Sequence, residues 1–599
     1  MSEPRWENEA GRRAAPRISP VAQAVLGFPL ASNDTSDWRP QRMSTAGEIH
    51  AAGSSAASGG QEKASLVDAS WRLVMRNSLQ VVRGHRDSGT LHDRSEKVSA
   101  EVLRSLADAG YWGLRAPCEF GGSAAPLAAF YPFLSQMAHV SATVAGLASV
   151  HGCIGAVGAL TAFGTDSQKA RWLPSLARGE RQTAFALTEP HTGSDLTAIH
   201  TRAERVEGGF RVTGEKRFIS NLAWGRLIVL ICRLDGVPAA LICDLPTQSG
   251  QGFELREYGL HALRRSVNRG GRFTDFPVPS DHLLQLPRGD GLTVAYHGLN
   301  RGRVAVCAVA AGQMRTMLAS LVPWVMQRQT YGESLAKRGL IRRRLARLAA
   351  LIVGCDALAL WCGGLLDTGH RGEIECTIAK VFGSESLKEA AVELMMKTHG
   401  GRSFLKGHLW GDNLHDYLTP CVYEGEGEIL SLALFRGLAK SAMTAPSLKS
   451  APSASHSVET QGNANLRGDG LDQWSAWADR EMAAVGREVV EFIHRDRGRT
   501  DPGEIDGQCE MVELSQRVQK LTVLRVACGF GQDSTSEIER LAAQVLAADL
   551  ARELSGRRAT LTERQQCDRL GEWLADGGHS HWTAEPPPPI LWLDDDASC

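Results

Sequence analysis

The turn Tyr423–Ile429 holds the acidic side chains that best suit acid–base chemistry. Glu424, Glu426 and Glu428 alternate there with glycines. A carboxylate held in an apolar, water-poor pocket has a raised pKa, which brings it near the working pH of a general base. Glu424 follows Tyr423 and a Pro-Cys pair, so its surroundings are apolar on one side. A solvated, glutamate-rich loop has the same composition, and the turn alone leaves both interpretations open.

A second stretch, Phe185–Asp195, offers hydroxyl groups and backbone amides. Thr188 and Ser194 flank a turn that contains Pro190 and Gly193. Such groups suit the polar edge of a flat ring and its phosphates. An ordinary turn between two strands would look the same, so this stretch also leaves the alternative open.

The elements that must position these groups change in type along the chain. Helical periodicity gives way to short β-branched and aromatic runs, and long helices then return. A Ser-, Pro- and Ala-rich stretch follows, and beyond it helices are predicted over 474–494 and 534–554. The predicted units are a flexible arm over 1–64, a helical domain over 65–183, a β-domain over 184–287, a helical domain over 288–442, a linker over 443–468 and a helical extension over 469–599.

Composition narrows the class of protein. A chain of 599 residues is too long to fold around a single hydrophobic core. Its content of 43% hydrophobic and 22% charged residues is ordinary for a globular protein. A net charge of −1 predicts no global attraction to nucleic acid. The 13 cysteines contain no Cys-x-x-Cys pair, so we expect reduced thiols, no metal site and a cytoplasmic protein. No run of about 18 apolar residues is evident, so no transmembrane segment is expected.

Seven segments resemble, in the same order, the signatures of the acyl-CoA dehydrogenase family. The two clearest are Thr188–Asp195 (TEPHTGSD) and Gly214–Asn221 (GEKRFISN). The others are Leu106–Gly122, Phe163–Glu180, Arg328–Gly332, His399–Arg402 and Tyr423–Ile429. The resemblance covers about residues 66 to 440.

This resemblance implies an α+β, mostly α fold. It consists of an N-terminal helical domain, a middle β-barrel-like domain and a C-terminal four-helix bundle, with FAD between the last two. The extra helical domain makes the layout similar to the very-long-chain branch of the family. The resemblance also implies a homodimer or homotetramer, and an electron-transfer flavoprotein or O₂ as the electron acceptor.

The resemblance assigns roles to individual positions, with Glu424 as the catalytic base. Some relatives carry the base immediately before the arginine matched by Arg303, but here that position is Gly302. Arg328 and Thr330 match groups that reach the FAD of a neighbouring subunit. The positions matching FAD contacts are Phe185, Leu187, Thr188, Ser194, Phe218, Ser220, Arg328, Thr330, Lys397, Gly400, Gly401, Glu426 and Glu428. The positions matching substrate contacts are Ser194, Asn300, Arg303, Tyr423 and Gly425.

The implied reaction is the α,β-dehydrogenation of a fatty acyl thioester, on CoA or acyl carrier protein, to the trans-2-enoyl thioester. Glu426, Asn300, Lys397 and His415 depart from the residues usual at these positions. These departures leave open an alternative function, that of an acyl-thioester oxidase that uses O₂ in a biosynthetic lipid or natural-product pathway, with or without epoxidation. A flavin monooxygenase on the same fold and a scaffold without flavin are two further alternatives. The turn glutamate argues against the monooxygenase.

Overall fold

The computed structural model describes residues 19–26, 59–222, 224–444, 470–495 and 507–588. The linker predicted over 443–468 lies outside these ranges except for its first two residues, which end a helix.

Six helices form the N-terminal part. They are α1 (Pro20–Leu26), α2 (Gly59–Asp87), α3 (Ala100–Asp108), α4 (Leu127–Ser149), α5 (Ala156–Phe163) and α6 (Asp166–Ala177). A π-helix, Val150–Ile154, continues α4. Local side chains set the helix starts: the Ser99 hydroxyl accepts a hydrogen bond from the Val102 amide at α3, and Thr165 and Gln168 form a capping box at α6.

Helix α1 corrects the predicted flexible arm. Residues 20–26 form a helix whose Val21 and Val25 side chains are buried. The α1 backbone packs on a helix of the extension so closely that a Cβ at Gly486 would lie 1.6 Å from the Val25 carbonyl oxygen. The composition of the arm misled the prediction because it hides a short apolar segment that a distant part of the chain covers.

The middle part is a curled seven-stranded sheet. Its strands are β1 (Thr183–Ala186), β2 (Arg202–Val206), β3 (Gly209–Ser220), β4 (Leu227–Leu234), β5 (Val237–Asp244), β6 (Phe253–Arg256) and β7 (Asn268–Pro279). Strand β4 pairs in parallel with β1 and β2 and antiparallel with β5, while β3, β7 and β6 continue the sheet antiparallel. The apolar sequence of β4 is buried on both faces, which makes this strand the centre of the β-domain.

Long helices return in the third part, as predicted. They are α7 (Gly291–Gln327), α8 (Gly339–Asp367), α9 (Glu373–Glu389), the short α10 (Lys397–His399), α11 (Leu409–Leu418) and α12 (Gly427–Thr444). A π-helix, Ala390–Met396, follows α9, and a small hairpin of β8 (Gln329–Thr330) and β9 (Glu333–Ser334) joins α7 to α8. Helices α7, α8, α9 and α12 make up the bundle, which confirms the predicted fold class.

The described part of the extension contains four helices, whereas the sequence had predicted two. They are α13 (Leu471–Arg495), α14 (Gln508–Asp533), α15 (Glu537–Ser555) and α16 (Leu561–Ala575). The extension packs on the bundle helix α8, where Arg342 pairs with Asp568 at 3.0 Å and Arg347 with Asp549 at 3.1 Å. The extension therefore covers a face of the bundle.

Three described stretches are long and apolar enough to cross a membrane by length and composition: Leu127–Phe163, Gly291–Gln327 and Gly339–Asp367. The expectation that no such stretch exists is wrong on those criteria. Between 67% and 89% of their most apolar windows is buried inside the protein, so core packing accounts for their composition.

The β-domain is joined to the bundle beside the glutamate-rich turn. The Leu263 amide donates to Asp416 Oδ1 at 2.5 Å, and Arg265 donates to Asn413 Oδ1 at 2.6 Å. The rings of His261 and His415 stack at 5.1 Å. Helix α11, which leads into the turn, is therefore fixed to the loop between β6 and β7 of the β-domain.

Candidate active site

Glu424 lies in a strained turn between two helical segments. A 3₁₀ turn, Thr419–Cys421, precedes it, and α12 begins at Gly427. The φ angle of Glu424 is +58°, which is uncommon for a residue with a side chain, and Gly425 follows at +110°. A non-glycine residue held in this region costs about 1–3 kcal/mol and often belongs to a functional site.

The Glu424 carboxylate lies against Gly302 on α7. A Cβ at Gly302 would lie 2.8 Å from both carboxylate oxygens and 2.6 Å from Ile154 Cδ1. The missing side chain at residue 302 therefore makes room for the carboxylate. Residue 302, the alternative position for a base considered from the sequence, therefore lies directly against Glu424.

The surroundings of Glu424 raise the pKa of its carboxyl group. Oε2 is buried and has no hydrogen-bond partner within the described ranges. Burial raises the pKa of Glu424 to about 7, although the nearby Arg303 and Lys380 oppose the shift. A carboxylate with this pKa and an oxygen free to take a proton has the properties of a general base near neutral pH.

The buried Arg303 side chain connects the turn to two bundle helices. Its Nε donates to the Glu424 carbonyl oxygen at 3.2 Å. One terminal nitrogen donates to Asn300 Oδ1 at 3.1 Å and to Thr377 Oγ1 at 3.3 Å. The structure thus places Arg303, a predicted substrate residue, against the backbone of the turn, and Asn300, another, against Arg303.

The neighbours of Glu424 in the chain are fixed by packing. Burial raises the pKa of the Tyr423 hydroxyl, so it stays protonated. A Cβ at Gly425 would lie 2.6 Å from Leu430 Cδ2, so packing as well as its φ angle requires glycine. Glu426 is exposed, and its Oε2 accepts hydrogen bonds from the amides of Glu428 at 2.9 Å and Ile429 at 3.1 Å. Glu426, which departs from the residue usual at this position, therefore caps α12.

A second cluster, at the end of β3, contains the predicted aromatic and hydroxyl contacts. Phe218 has a φ angle of +56° and 58% of its surface exposed, and its ring meets Tyr258 edge-on at 5.6 Å. The Tyr258 hydroxyl donates to Asn268 Oδ1 at 3.0 Å, and Asn268 Nδ2 donates to Ser220 Oγ at 3.2 Å. An exposed, strained aromatic residue that is supported by a hydrogen-bonded chain fits a surface on which a flat ring stacks.

The end of β1 is tied to this cluster by a buried ion pair that the sequence had not assigned. Lys216 Nζ lies 2.8 Å from Glu189 Oε1 and donates to the Leu187 carbonyl oxygen at 2.8 Å. The Arg217 amide donates to the Thr188 carbonyl oxygen at 2.8 Å. Phe185, on β1, packs partly buried against the core. These contacts bring the two clearest sequence motifs together.

Ser194 is exposed on the loop that follows β1, and no hydrogen bond joins its side chain to another described residue. Its predicted contacts with FAD and substrate stay predictions.

The remaining predicted FAD residues form a third group around Trp324. The Arg328 guanidinium lies 5.9 Å from the Trp324 ring, and Trp324 Nε1 donates to the Thr398 carbonyl oxygen at 3.0 Å. Gly400 has a φ angle of +67°, and a Cβ at Gly400 or Gly401 would meet no atom within 4 Å.

Two members of the third group have local partners instead. Lys397 pairs with Glu393 on its own helical turn, and Thr330 Oγ1 accepts a hydrogen bond from Arg338 at 3.4 Å. No direct contact joins this group to Glu424 within the described chain, so its approach to a flavin stays a prediction.

Lys380, a buried residue whose Nζ contacts the turn, is a residue that the sequence analysis missed. Thr377, Lys380 and Ser384 are buried polar residues on α9, spaced three and four apart. In a helix this spacing places them on one face, and a polar stripe on a buried face is the signal that could have revealed them. No group of three His, Cys, Asp or Glu side chains that could hold a metal occurs among the described residues.

Comparison with known proteins shows the family. Models of the N-terminal, middle and C-terminal domains of acyl-CoA dehydrogenase match residues 85–180, 184–266 and 289–439. The chain therefore belongs to the acyl-CoA dehydrogenase family, a class of FAD-dependent oxidoreductases.

Individual relatives show how far the similarity extends. An acyl-CoA dehydrogenase of Bacillus subtilis is 27% identical over 352 residues, which are 58% of this chain and 91% of that protein. The human mitochondrial very-long-chain specific acyl-CoA dehydrogenase is 30% identical over 354 residues, and the chain spans about half of it (53%). A Bacillus anthracis acyl-CoA dehydrogenase complexed with FAD covers 88% of this chain and 96% of its own, at 20% identity and a TM-score of 0.72. This fold likeness extends beyond the three matched domains.

The residues at the site fit FAD. The exposed Phe218 ring and the Ser220 hydroxyl suit the flat ring system. Open space over Gly400 and Gly401 lets backbone amides approach a ligand closely, and the exposed Arg328 suits its phosphates. FAD bound by these groups would supply a two-electron acceptor.

Proposed function

We propose that the protein dehydrogenates a fatty acyl thioester to the trans-2-enoyl thioester, with Glu424 as the base that removes the α-proton. The observation that carries this proposal is the Glu424 carboxylate, seated on Gly302 with a buried, unbonded Oε2 and a pKa raised to about 7. A thioester α-proton is weakly acidic, so its removal needs a base of this kind close by.

The other residues around the base orient it. Arg303 holds the turn, Asn300 holds Arg303, and burial of Oε2 keeps water away from that oxygen. The developing negative charge on the thioester oxygen needs hydrogen-bond donors, and we assign the Glu424 backbone amide to that role. The proton then resides on Glu424. When bound, FAD takes up the pair of electrons that leaves with the β-hydrogen.

The finer features of the function are proposals as well. We assign a CoA thioester as substrate, an electron-transfer flavoprotein as acceptor and a cytoplasmic location. We further propose a homodimer, because the β8–β9 hairpin presents Arg328, Thr330 and a 99% exposed Tyr331, as expected of a hairpin that reaches a second copy.

One experiment tests the reaction and separates it from its alternative. Flavin-loaded protein is mixed without air with short, medium and long saturated acyl-CoA and acyl-carrier thioesters, and bleaching of the flavin and the enoyl product are measured. Bleaching by none of them would refute the proposal. Air is then admitted: slow reoxidation indicates a dehydrogenase, whereas rapid reoxidation with peroxide indicates the acyl-thioester oxidase.

A further inference from the structure

Lys380 lies beneath the turn that carries the base, and no part of its side chain reaches solvent. Its exposed fraction is 0%, although lysine is among the residues least often buried. Its Nζ donates to the Cys421 carbonyl oxygen at 3.3 Å and to the Gly425 carbonyl oxygen. These two carbonyl groups bracket Glu424 in the chain.

The lysine and Arg303 together hold the turn from below. Arg303 Nε binds the carbonyl oxygen of Glu424 itself, so two cations from α7 and α9 bind the carbonyls of residues 421, 424 and 425. Hydrogen bonds with a charged donor are about twice as strong as neutral ones. They can therefore offset the strain of a glutamate held at a φ angle of +58°.

We propose that Lys380 is a positioning residue for the proposed reaction, holding the 421–425 turn in the conformation that presents the Glu424 carboxylate against Gly302. This inference rests on the proposed role of Glu424 as base.

The charge of Lys380 has a second consequence. Burial lowers the pKa of Lys380 to about 8, with Glu424 and Cys421 acting to raise it, Arg303 to lower it and Glu385 to raise it slightly. In turn, Lys380 and Arg303 lower the pKa of Glu424 against the larger effect of burial. Loss of the lysine charge therefore makes the base harder to deprotonate.

Three substitutions separate the hydrogen bonds from the charge. Lys380→Met removes both, Lys380→Gln keeps a donor without charge, and Lys380→Arg keeps charge and donors. Lys388→Met is the matched control, because Lys388 lies on the same helix, is 47% exposed in its side chain and pairs with Glu385. The readouts are the folded fraction, kcat and the ascending limb of the pH–kcat profile.

We expect Lys380→Met to lower kcat at least about tenfold and to move the ascending limb about one pH unit upward, because loss of a nearby opposite charge disfavours the carboxylate. Lys380→Gln shifts the limb equally but retains more of kcat, and Lys380→Arg restores the position of the limb. A folded Lys380→Met indistinguishable from Lys388→Met would overturn the proposal. A fall in kcat in all three Lys380 variants with no shift of the ascending limb would also overturn the proposal, because Lys380 would then contribute only to the stability of the fold.

A titration without substrate separates this inference from the proposed function. Infrared difference spectra of each Lys380 variant with and without Glu424→Gln report protonation of the Glu424 carboxyl group. An upward shift in Lys380→Met supports the inference even if no thioester is oxidised, whereas an unchanged titration contradicts it even if turnover is confirmed.

Discussion

Replacing Gly302 by alanine should displace the base while leaving the fold nearly intact. The new Cβ would lie 2.8 Å from both oxygens of Glu424 and 2.6 Å from Ile154 Cδ1. Carbon atoms at optimal separation lie about 3.5–4.0 Å apart, so the contacting groups must move by about 0.7–1.4 Å. All the contacted atoms are ends of flexible side chains, and they will move in preference to the backbone.

The expected effects on stability and on rate differ in size. Overpacking costs about 1–3 kcal/mol, and alanine in place of glycine within a helix returns about 1 kcal/mol, so the net destabilisation should be about 0–2 kcal/mol. A misplacement of about 1 Å can cost about 10²-fold in rate. We therefore expect kcat to fall about ten- to a hundredfold.

Gly298→Ala is the matched control, one turn earlier on α7. Its Cβ would lie 3.2 Å from Ile154 backbone atoms and is not in contact with Glu424. The measurements are urea unfolding and single-turnover flavin reduction for both variants. A Gly302→Ala protein that keeps the kcat and pH profile of the wild type would refute the claim that the Glu424 carboxylate lies against Gly302. An equal loss of rate in Gly298→Ala would refute it too.

Three further predictions test other parts of the molecule. Lys216→Met leaves Glu189 buried without its cation and should cost about 3–5 kcal/mol in urea unfolding, whereas Lys216→Met with Glu189→Gln should recover part of that loss. Phe218→Ala should weaken FAD binding at least about tenfold, measured by equilibrium dialysis, while the stability of the apoprotein changes by less than about 0.5 kcal/mol, because the ring is 58% exposed. Burial raises the pKa of Glu424 from 4.5 to about 7 in the folded protein. The contribution of Glu424 to the free energy of unfolding is therefore complete below about pH 4.5 and is lost as pH rises through about 7. The free energy of unfolding of Glu424→Gln should therefore exceed that of the wild type by up to about 3 kcal/mol at about pH 8 and equal it at about pH 4.

The sequence predicted the order of the domains because periodicity changes type at each boundary. Strand β4 and helices α7 and α8 are rich in apolar residues, and each lies in a domain predicted to contain its type of element. Helix α1 was missed because its burial depends on a helix some 460 residues away in the chain, at Gly486. The local amino-acid composition does not reveal such a partner.

The sequence predicted the site residues that lie in its motifs, but not those that lie between the motifs. Glu424 and Arg303 lie in recognisable segments, and the structure joins them through a backbone contact of 3.2 Å. Lys380 escaped because its partners are main-chain carbonyl groups, so its sign in the sequence is limited to the polar spacing of Thr377, Lys380 and Ser384 on α9. Glu426 was interpreted through the flavin, yet its position one residue before α12 makes it a helix cap.

The most direct test of the account is the single-turnover reaction of Glu424→Gln, loaded with FAD and mixed anaerobically with an acyl-CoA that bleaches the wild-type flavin. Glutamine preserves the shape of the side chain and cannot accept the α-proton, so the fold, the FAD content and thioester binding should be retained. We expect the rate of flavin bleaching and enoyl formation to fall by about 10²- to 10⁴-fold. A rate near that of the wild type would contradict the assignment of Glu424 as the base.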